Sequence, residues 1–201
     1  MVSSQLNKDP NELNEKDFAK ITELSISNEK LVDIKLLEHF TNLRVLKIDF
    51  YLPYGIPEAT PIWKRILKKL GIIKIPKQYT PPWVHPQTII TMDITPLKKL
   101  RHLQNLSLSG MRITNIKPLA LLSNLKELSL VSTGIEDVKP LGKLKNLEKL
   151  NLDSNPISDF EPLKKLTNLQ WLNIKSSSKK LTREKLVDLV DALPNVKINR
   201  L

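Results

Sequence analysis

The chain contains no cysteine, which removes disulfides, thiolate metal sites and cysteine nucleophiles together. Glycine is scarce, at 5 residues, and nowhere forms a phosphate-cradling loop. No apolar run reaches the roughly 18 residues that a bilayer-spanning helix requires. Met1 to Pro10 is polar and lacks the apolar centre of a secretory signal. That start leans toward a cytoplasmic protein, or toward a secreted one whose signal has been removed. His39, His85 and His102 are scattered, and no HExxH, GxSxG or carboxylate cluster accompanies them. The expectation is therefore a non-catalytic protein with no cofactor and no metal.

What is abundant is positive charge. The 32 Lys+Arg outnumber the 21 Asp+Glu, for a formal net charge of +11. Such an excess suits an anionic partner, either nucleic acid, an anionic membrane or an acidic protein. It is equally the mark of a lysine-rich, solvated surface.

Leucine and isoleucine recur on a fixed interval. Leu103, Leu125, Leu147 and Leu169 lie 22 residues apart, and each opens the same sentence of residues. One period reads Leu103, Leu106, Leu108, Ile113, Asn115-Ile116, Pro118-Leu119, Leu122 and Asn124. The next two keep the register, through Leu125, Leu128, Leu130 and Asp137-Val138, then Leu147, Leu150, Leu152 and Asp159-Phe160. An earlier period follows the same frame through Ile21, Leu24, Ile26, Asp33-Ile34, Phe40 and Asn42. Within each period Leu106 and Leu108 alternate with Asn105, Ser107 and Ser109, the pattern of a short strand with one buried face. The Asp or Asn ahead of the Pro-Leu pair can cap a tight helical return, which tolerates proline in its first turn. Since successive strands must be parallel, a right-handed crossover is favoured.

The pattern LxxLxLxxNxIxDIxPLxxLxN resembles the 22-residue class of leucine-rich repeats of the bacterial internalins. The resemblance covers about residues 17–48 and 91–175. It implies an α/β fold, a leucine-rich-repeat solenoid or horseshoe with a parallel concave sheet and tight or 3-10 returns on the convex side. It also implies helical N- and C-terminal caps and a protein-protein interaction role, but no particular target.

The whole of 1–201 is expected to form a single leucine-rich-repeat domain. Residues 1–20 would be the N-terminal cap, with a helix over Glu12 to Lys20 that offers Leu13 and Phe18 to the first coil. Residues 21–48 are the first repeats and 91–175 the regular ones. Residues 176–201 form a closing repeat, in which Thr182 caps a helix carrying Leu186, Val187, Leu189, Val190 and Leu193. Val196 there matches Leu169, 27 residues earlier.

One period is interrupted. Leu43 and Leu103 are 60 residues apart, so 38 have been inserted, within residues 49–90. The insert holds half of the 14 prolines and most of the aromatic residues. Thr60 and Pro61 predict a helix over about 61–70, ending before Gly71. Ile62, Trp63, Ile66, Leu67 and Leu70 make its apolar face, and Lys64, Arg65, Lys68 and Lys69 its basic one. Such a helix either lies on an anionic surface or packs back on the repeats as an asymmetric wall.

Residues between the strand leucines form three columns on the concave side. Glu23, Val45, Asn105, Glu127, Lys149 and Trp171 make the first. Ser25, Lys47, Ser107, Ser129, Asn151 and Asn173 make the second. Ser27, Asp49, Ser109, Val131, Asp153 and Lys175 make the third. The partner-binding candidates are Glu127, Lys149, Asn151, Asp153, Trp171, Asn173 and Lys175, joined by Trp63, Lys64, Lys68, Tyr79 and Trp83 of the insert. Trp171 is either an aromatic anchor among polar neighbours or a residue covered by the closing segment. The reading is of a monomer that binds a protein partner. Nucleic acid or anionic membrane at the basic insert, or a spacer role in a larger assembly, is the alternative.

Overall fold

In the computed structural model, residues 15–27, 34–49, 91–175 and 182–199 are described. The strands, in chain order, are β1 (Glu23–Ser27), β2 (Val45–Asp49), β3 (Thr91–Met92), β4 (Asn105–Ser109), β5 (Arg112–Ile113), β6 (Glu127–Ser129), β7 (Lys149–Asn151), β8 (Trp171–Asn173) and β9 (Lys197–Asn199). Seven of them form one parallel sheet in the order β1-β2-β4-β6-β7-β8-β9, while β3 and β5 pair separately. The α/β leucine-rich-repeat solenoid expected from the spacing is the fold observed.

Register follows the repeat. Leu24 stands opposite Leu46, and the line continues through Leu106, Leu128, Leu150, Leu172 and Ile198. Leu106 and Leu128 are 2% exposed, and Leu150 and Leu172 are 0% exposed. Each such side chain contributes about 2 kcal/mol by leaving water. A single coil has two open faces and cannot enclose its leucines, so burial is shared between neighbours. The coils are also joined where strands begin. The Thr22 carbonyl accepts from Arg44 N at 2.7 Å and Val45 N at 3.0 Å, and the carbonyls of Arg44, Gln104, Lys126 and Glu148 do the same for the next coils.

The returns are five 3-10 turns among the described residues: η1 (Lys35–His39), η2 (Thr95–Lys99), η3 (Lys117–Leu121), η4 (Lys139–Lys143) and η5 (Glu161–Lys165). Their first donors are all accounted for in η2 to η5. Oδ1 of Asp93, Asn115, Asp137 and Asp159 accepts the N–H two residues on, at 2.8–3.0 Å. Proline follows and has no N–H to satisfy. The next N–H closes the 3-10 bond, as from Leu97 to the Ile94 carbonyl at 3.0 Å. A buried leucine, Leu97, Leu119, Leu141 or Leu163, then enters the core. Gly142 is required for space, since a Cβ there would lie 2.7 Å from the Pro162 carbonyl oxygen of the next coil.

Polar side chains tie coil to coil on the same edge. The Nδ2 groups of Asn42, Asn124, Asn146 and Asn168 donate to the carbonyls of Ala19, Arg101, Ser123 and Lys145, at 2.8–2.9 Å. His102 occupies this column in the coil that follows the insertion. Arg101 Nη1 and Lys145 Nζ donate forward to Leu121 O and Lys165 O, at 2.9 and 2.7 Å. They satisfy the last carbonyls of η3 and η5.

The stack closes directly over the insertion. Val45 pairs with Asn105 although 60 residues separate them, η1 packs on η2, and Lys99 Nζ meets Glu38 Oε2 at 2.8 Å. That hydrogen bond, and then the lysine's charge, lowers the Glu38 pKa. β2 ends at Asp49, the described residues resume at Thr91 in β3, and the seven-stranded sheet resumes at Asn105 in β4. Trp63, Lys64, Lys68, Tyr79, Trp83 and the expected helix over 61–70 lie outside the described residues.

At the N-terminal end the described helix is α1 (Glu15–Phe18), followed by a turn at Ala19 and Lys20, while Glu12, Leu13 and Asn14 of the expected helix lie outside the described residues. Phe18 is buried against Phe40, with ring centroids 5.0 Å apart. At the other end α2 (Arg183–Ala192) begins at Thr182, whose Oγ1 accepts from Lys185 N at 3.4 Å. The closing helix buries only part of its apolar set, and the expected register of the last coil is corrected. Leu189 and Leu193 are buried, but Val187 and Val190 are 49% and 39% exposed, because the helix rests on the core along one narrow stripe. The last coil also enters the sheet one residue early: Ile198, not Asn199, faces Leu172, a span of 26. The early entry keeps an aliphatic residue in the buried line.

Candidate interaction surface on the sheet

Parallel pairing delivers the polar residues between the leucines to one face in straight rows. The first row is Glu23, Val45, Asn105, Glu127, Lys149, Trp171 and Lys197, and the second Ser25, Lys47, Ser107, Ser129, Asn151, Asn173 and Asn199. Neighbours within a row are one strand spacing apart, about 4.8 Å. Along the third row only Ser27, Asp49 and Ser109 are in ladder register. β6, β7 and β8 are three residues long and stop before Val131, Asp153 and Lys175.

Glu127 is the hub of the first row. Its Oε2 accepts from Asn105 Nδ2 at 3.0 Å and its Oε1 from Lys149 Nζ at 2.7 Å. That hydrogen bond, reinforced by the carboxylate charge, raises the Lys149 pKa above the ordinary lysine value. The three side chains therefore form a polar brace across β4, β6 and β7. An exposed pair of this kind contributes little to stability, and it fixes the positions of charges on the surface.

Trp171 follows Lys149 in the row and is half-buried. Lys197 lies opposite Trp171 on β9, a neighbour that the 27-residue frame had hidden. Val45, Asn105, Glu127, Lys149 and Trp171 of this row, with Lys47 and Asn151 of the second, border a shallow trough of about 280 Å³. Asn151 Oδ1 accepts from Asp153 N at 3.2 Å, and Ser154 Oγ donates to Asp153 Oδ1 at 3.2 Å. Asn173 is 9% exposed, and its Oδ1 accepts from Lys175 N at 3.1 Å. Its amide serves the turn after β8 and leaves little surface for a ligand. Asn105, although it begins an Asn-Leu-Ser sequon, is partly buried within β4 and bonded to Glu127.

Beside the strand entries a second groove, of about 350 Å³, is lined by Asn124, Asn146 and Asn168 together with Gln104, Lys126, Glu148 and Gln170. Lys126 and Glu148 face each other there at 3.7 Å. Sequence reading passed over this groove because its asparagines appear only as repeat markers. Among the described residues no group of three or more His, Asp or Glu could hold a metal ion, and no helix is long and apolar enough to cross a membrane.

Comparison with known proteins agrees with this geometry. The family model described as Leucine Rich repeats (2 copies) matches residues 123–165. No curated protein sequence matches the chain. Among solved structures, internalin C2 from Listeria monocytogenes is similar at 25% identity with a TM-score of 0.53, over 100% of this chain and 90% of that one. A second Listeria monocytogenes internalin shares 20% identity over 98% of this chain and 66% of its own, with a TM-score of 0.46. A leucine-rich-repeat protein from Leptospira interrogans shares 22% identity with a TM-score of 0.52, over 93% of this chain and 51% of its own. With 22-residue coils, 3-10 returns and a seven-stranded parallel sheet, the chain has a leucine-rich-repeat solenoid fold similar to that of internalin C2.

Proposed function

We propose that this protein is a non-catalytic interaction module that grips a protein partner on its sheet face. Leucine-rich-repeat solenoids present extended binding surfaces of this type. The observation that carries the reading is the row Glu127, Lys149, Trp171, Lys197, in which a half-buried indole stands between two lysines and lines the trough with Glu127 and Lys149. An aromatic anchor amid fixed polar groups is the composition of an interface centre. The partner-contacting set is Glu127, Lys149, Asn151, Asp153, Trp171 and Lys175. The insert, with Trp63, Lys64, Lys68, Tyr79 and Trp83, follows Asp49 of the third row in sequence and would supply further partner contacts.

Capture of partners from a lysate of the source organism, using wild type and the double variant Trp171→Ala/Lys149→Glu, tests the assignment. The variant is expected to lose at least one partner that wild type retains. Identical recovery of every partner would remove the sheet face from the proposal.

A further inference from the structure

Charge is divided unequally between the two sides of the solenoid. The three rows on the sheet face hold Lys47, Lys149, Lys175 and Lys197 against Glu23, Asp49, Glu127 and Asp153, so that face is balanced. The five 3-10 turns carry eight lysines against two glutamates. Both glutamates are already held, Glu38 by Lys99 at 2.8 Å and Glu161 by Lys164. With the flanking Asp93, Glu136, Asp137 and Asp159 and the cations Arg101 and Lys145 included, the return side holds ten cations against six acids, and Asp188 of α2 also acts on Lys164. Lys98, Lys117, Lys139, Lys143 and Lys165 are exposed and form no ion pair among the described residues.

We propose that this lysine-rich return side is a docking surface for an anionic lipid membrane. Three observations favour lipid over nucleic acid. The cations are almost all lysine, compact point charges suited to a diffuse layer of headgroups rather than to bidentate recognition, and the Arg101 guanidinium donates to Leu121 O. Phe40 and Phe160 beside the described turns are buried, so neither can stack on a base, and the rings left there are the imidazoles of His39 and His102. The turns are five residues long, too short to enter a major groove as a reading helix. Leu121, 43% exposed, stands between Lys99 and Lys143 in the stack of turns. An apolar side chain among lysines can enter the headgroup boundary while the ammonium groups meet the anionic charge. Docking there would leave the sheet face free for its partner, and the two bindings are independent.

Flotation of the full-length chain with phosphatidylserine/phosphatidylcholine vesicles and with phosphatidylcholine vesicles tests this. Binding is expected to the anionic vesicles alone and to weaken steeply with salt. Lys139→Gln/Lys143→Gln/Lys165→Gln should lower the partition coefficient by roughly 100-fold, from the contribution of each juxtamembrane lysine. Leu121→Ser should lower it further without changing the salt dependence. Lys47→Gln/Lys197→Gln on the sheet face should leave it unchanged, and circular dichroism confirms that each variant is folded. Wild-type binding by the triple variant overturns the proposal, as does binding abolished only by Lys64→Gln/Lys68→Gln in the insert. A failure to bind anionic vesicles at low salt also overturns it, as does tighter binding to duplex DNA through the same lysines.

Discussion

Asn155 Oδ1 accepts from both the backbone N–H and the hydroxyl of Thr133 on the preceding coil, each at 3.0 Å. Its Nδ2 donates to the carbonyls of Leu130 and Leu152, at 2.6 and 2.9 Å. Both residues are buried, so this one amide joins two coils at the point where their strands turn away from the sheet. Met111 holds the corresponding position in the coil before. Asn155→Leu removes the acceptor and leaves buried backbone groups unpaired. It is expected to cost about 3 kcal/mol in urea unfolding, and Thr133→Val about 1 kcal/mol. A double-mutant cycle should show coupling between them. A cost below about 1 kcal/mol for Asn155→Leu would show the amide to be dispensable.

Leu128 lies in the line from Leu24 to Ile198, enclosed by Leu106 and Leu150. Leu128→Ala should cost about 2–5 kcal/mol, because the coils on either side cannot close on the cavity without leaving register. The midpoint of urea denaturation reports it.

Ser132 and Ser154 hold φ of 54° and 59°, and Gly110 holds 71° at the same place in its coil. The left-handed conformation disfavours a side chain. Ser132→Gly should therefore stabilise by up to about 1 kcal/mol, the relief exceeding the added entropy of the unfolded chain. Ser154→Gly should gain less, since Ser154 Oγ donates to Asp153. A fall in melting temperature for Ser132→Gly would refute this account of the turn.

Asp93 accepts from Thr95 Oγ1 at 2.6 Å and from Thr95 N at 2.9 Å, and these bonds lower its pKa. A depressed carboxyl pKa adds stability above the unfolded value, about 3.9. That contribution is lost as pH falls through the folded value. Asn115 accepts the same backbone bond without a charge. Asp93→Asn should thus match wild type near neutrality more closely than Asp93→Ala does, and lose less melting temperature between about pH 5 and pH 2. An unchanged acid limb would show that Asp93 does not titrate with unfolding.

The candidate surface was partly legible before any coordinates. Glu127, Lys149 and Trp171 fall in one row because a parallel sheet of equal coils fixes neighbours by arithmetic alone. The brace from Asn105 through Glu127 to Lys149 was not legible, since residues one period apart can meet or diverge according to rotamer. Asn173 reads as a surface amide, yet its oxygen turns to Lys175 N. A short polar side chain beside a strand end bonds its own backbone as readily as it faces solvent.

The sequence by itself determined the period, the inward leucines and the place of each tight return. It could do so because burial in a solenoid is local and repeats every 22 residues. Only the tertiary structure decided that the sheet passes without a break from β2 to β4, and that the last coil shortens so that Ile198 meets Leu172. It also decided that Val187 and Val190 stay outside the core. Those outcomes depend on how one coil fits the surface already made by its neighbour, which spacing does not encode.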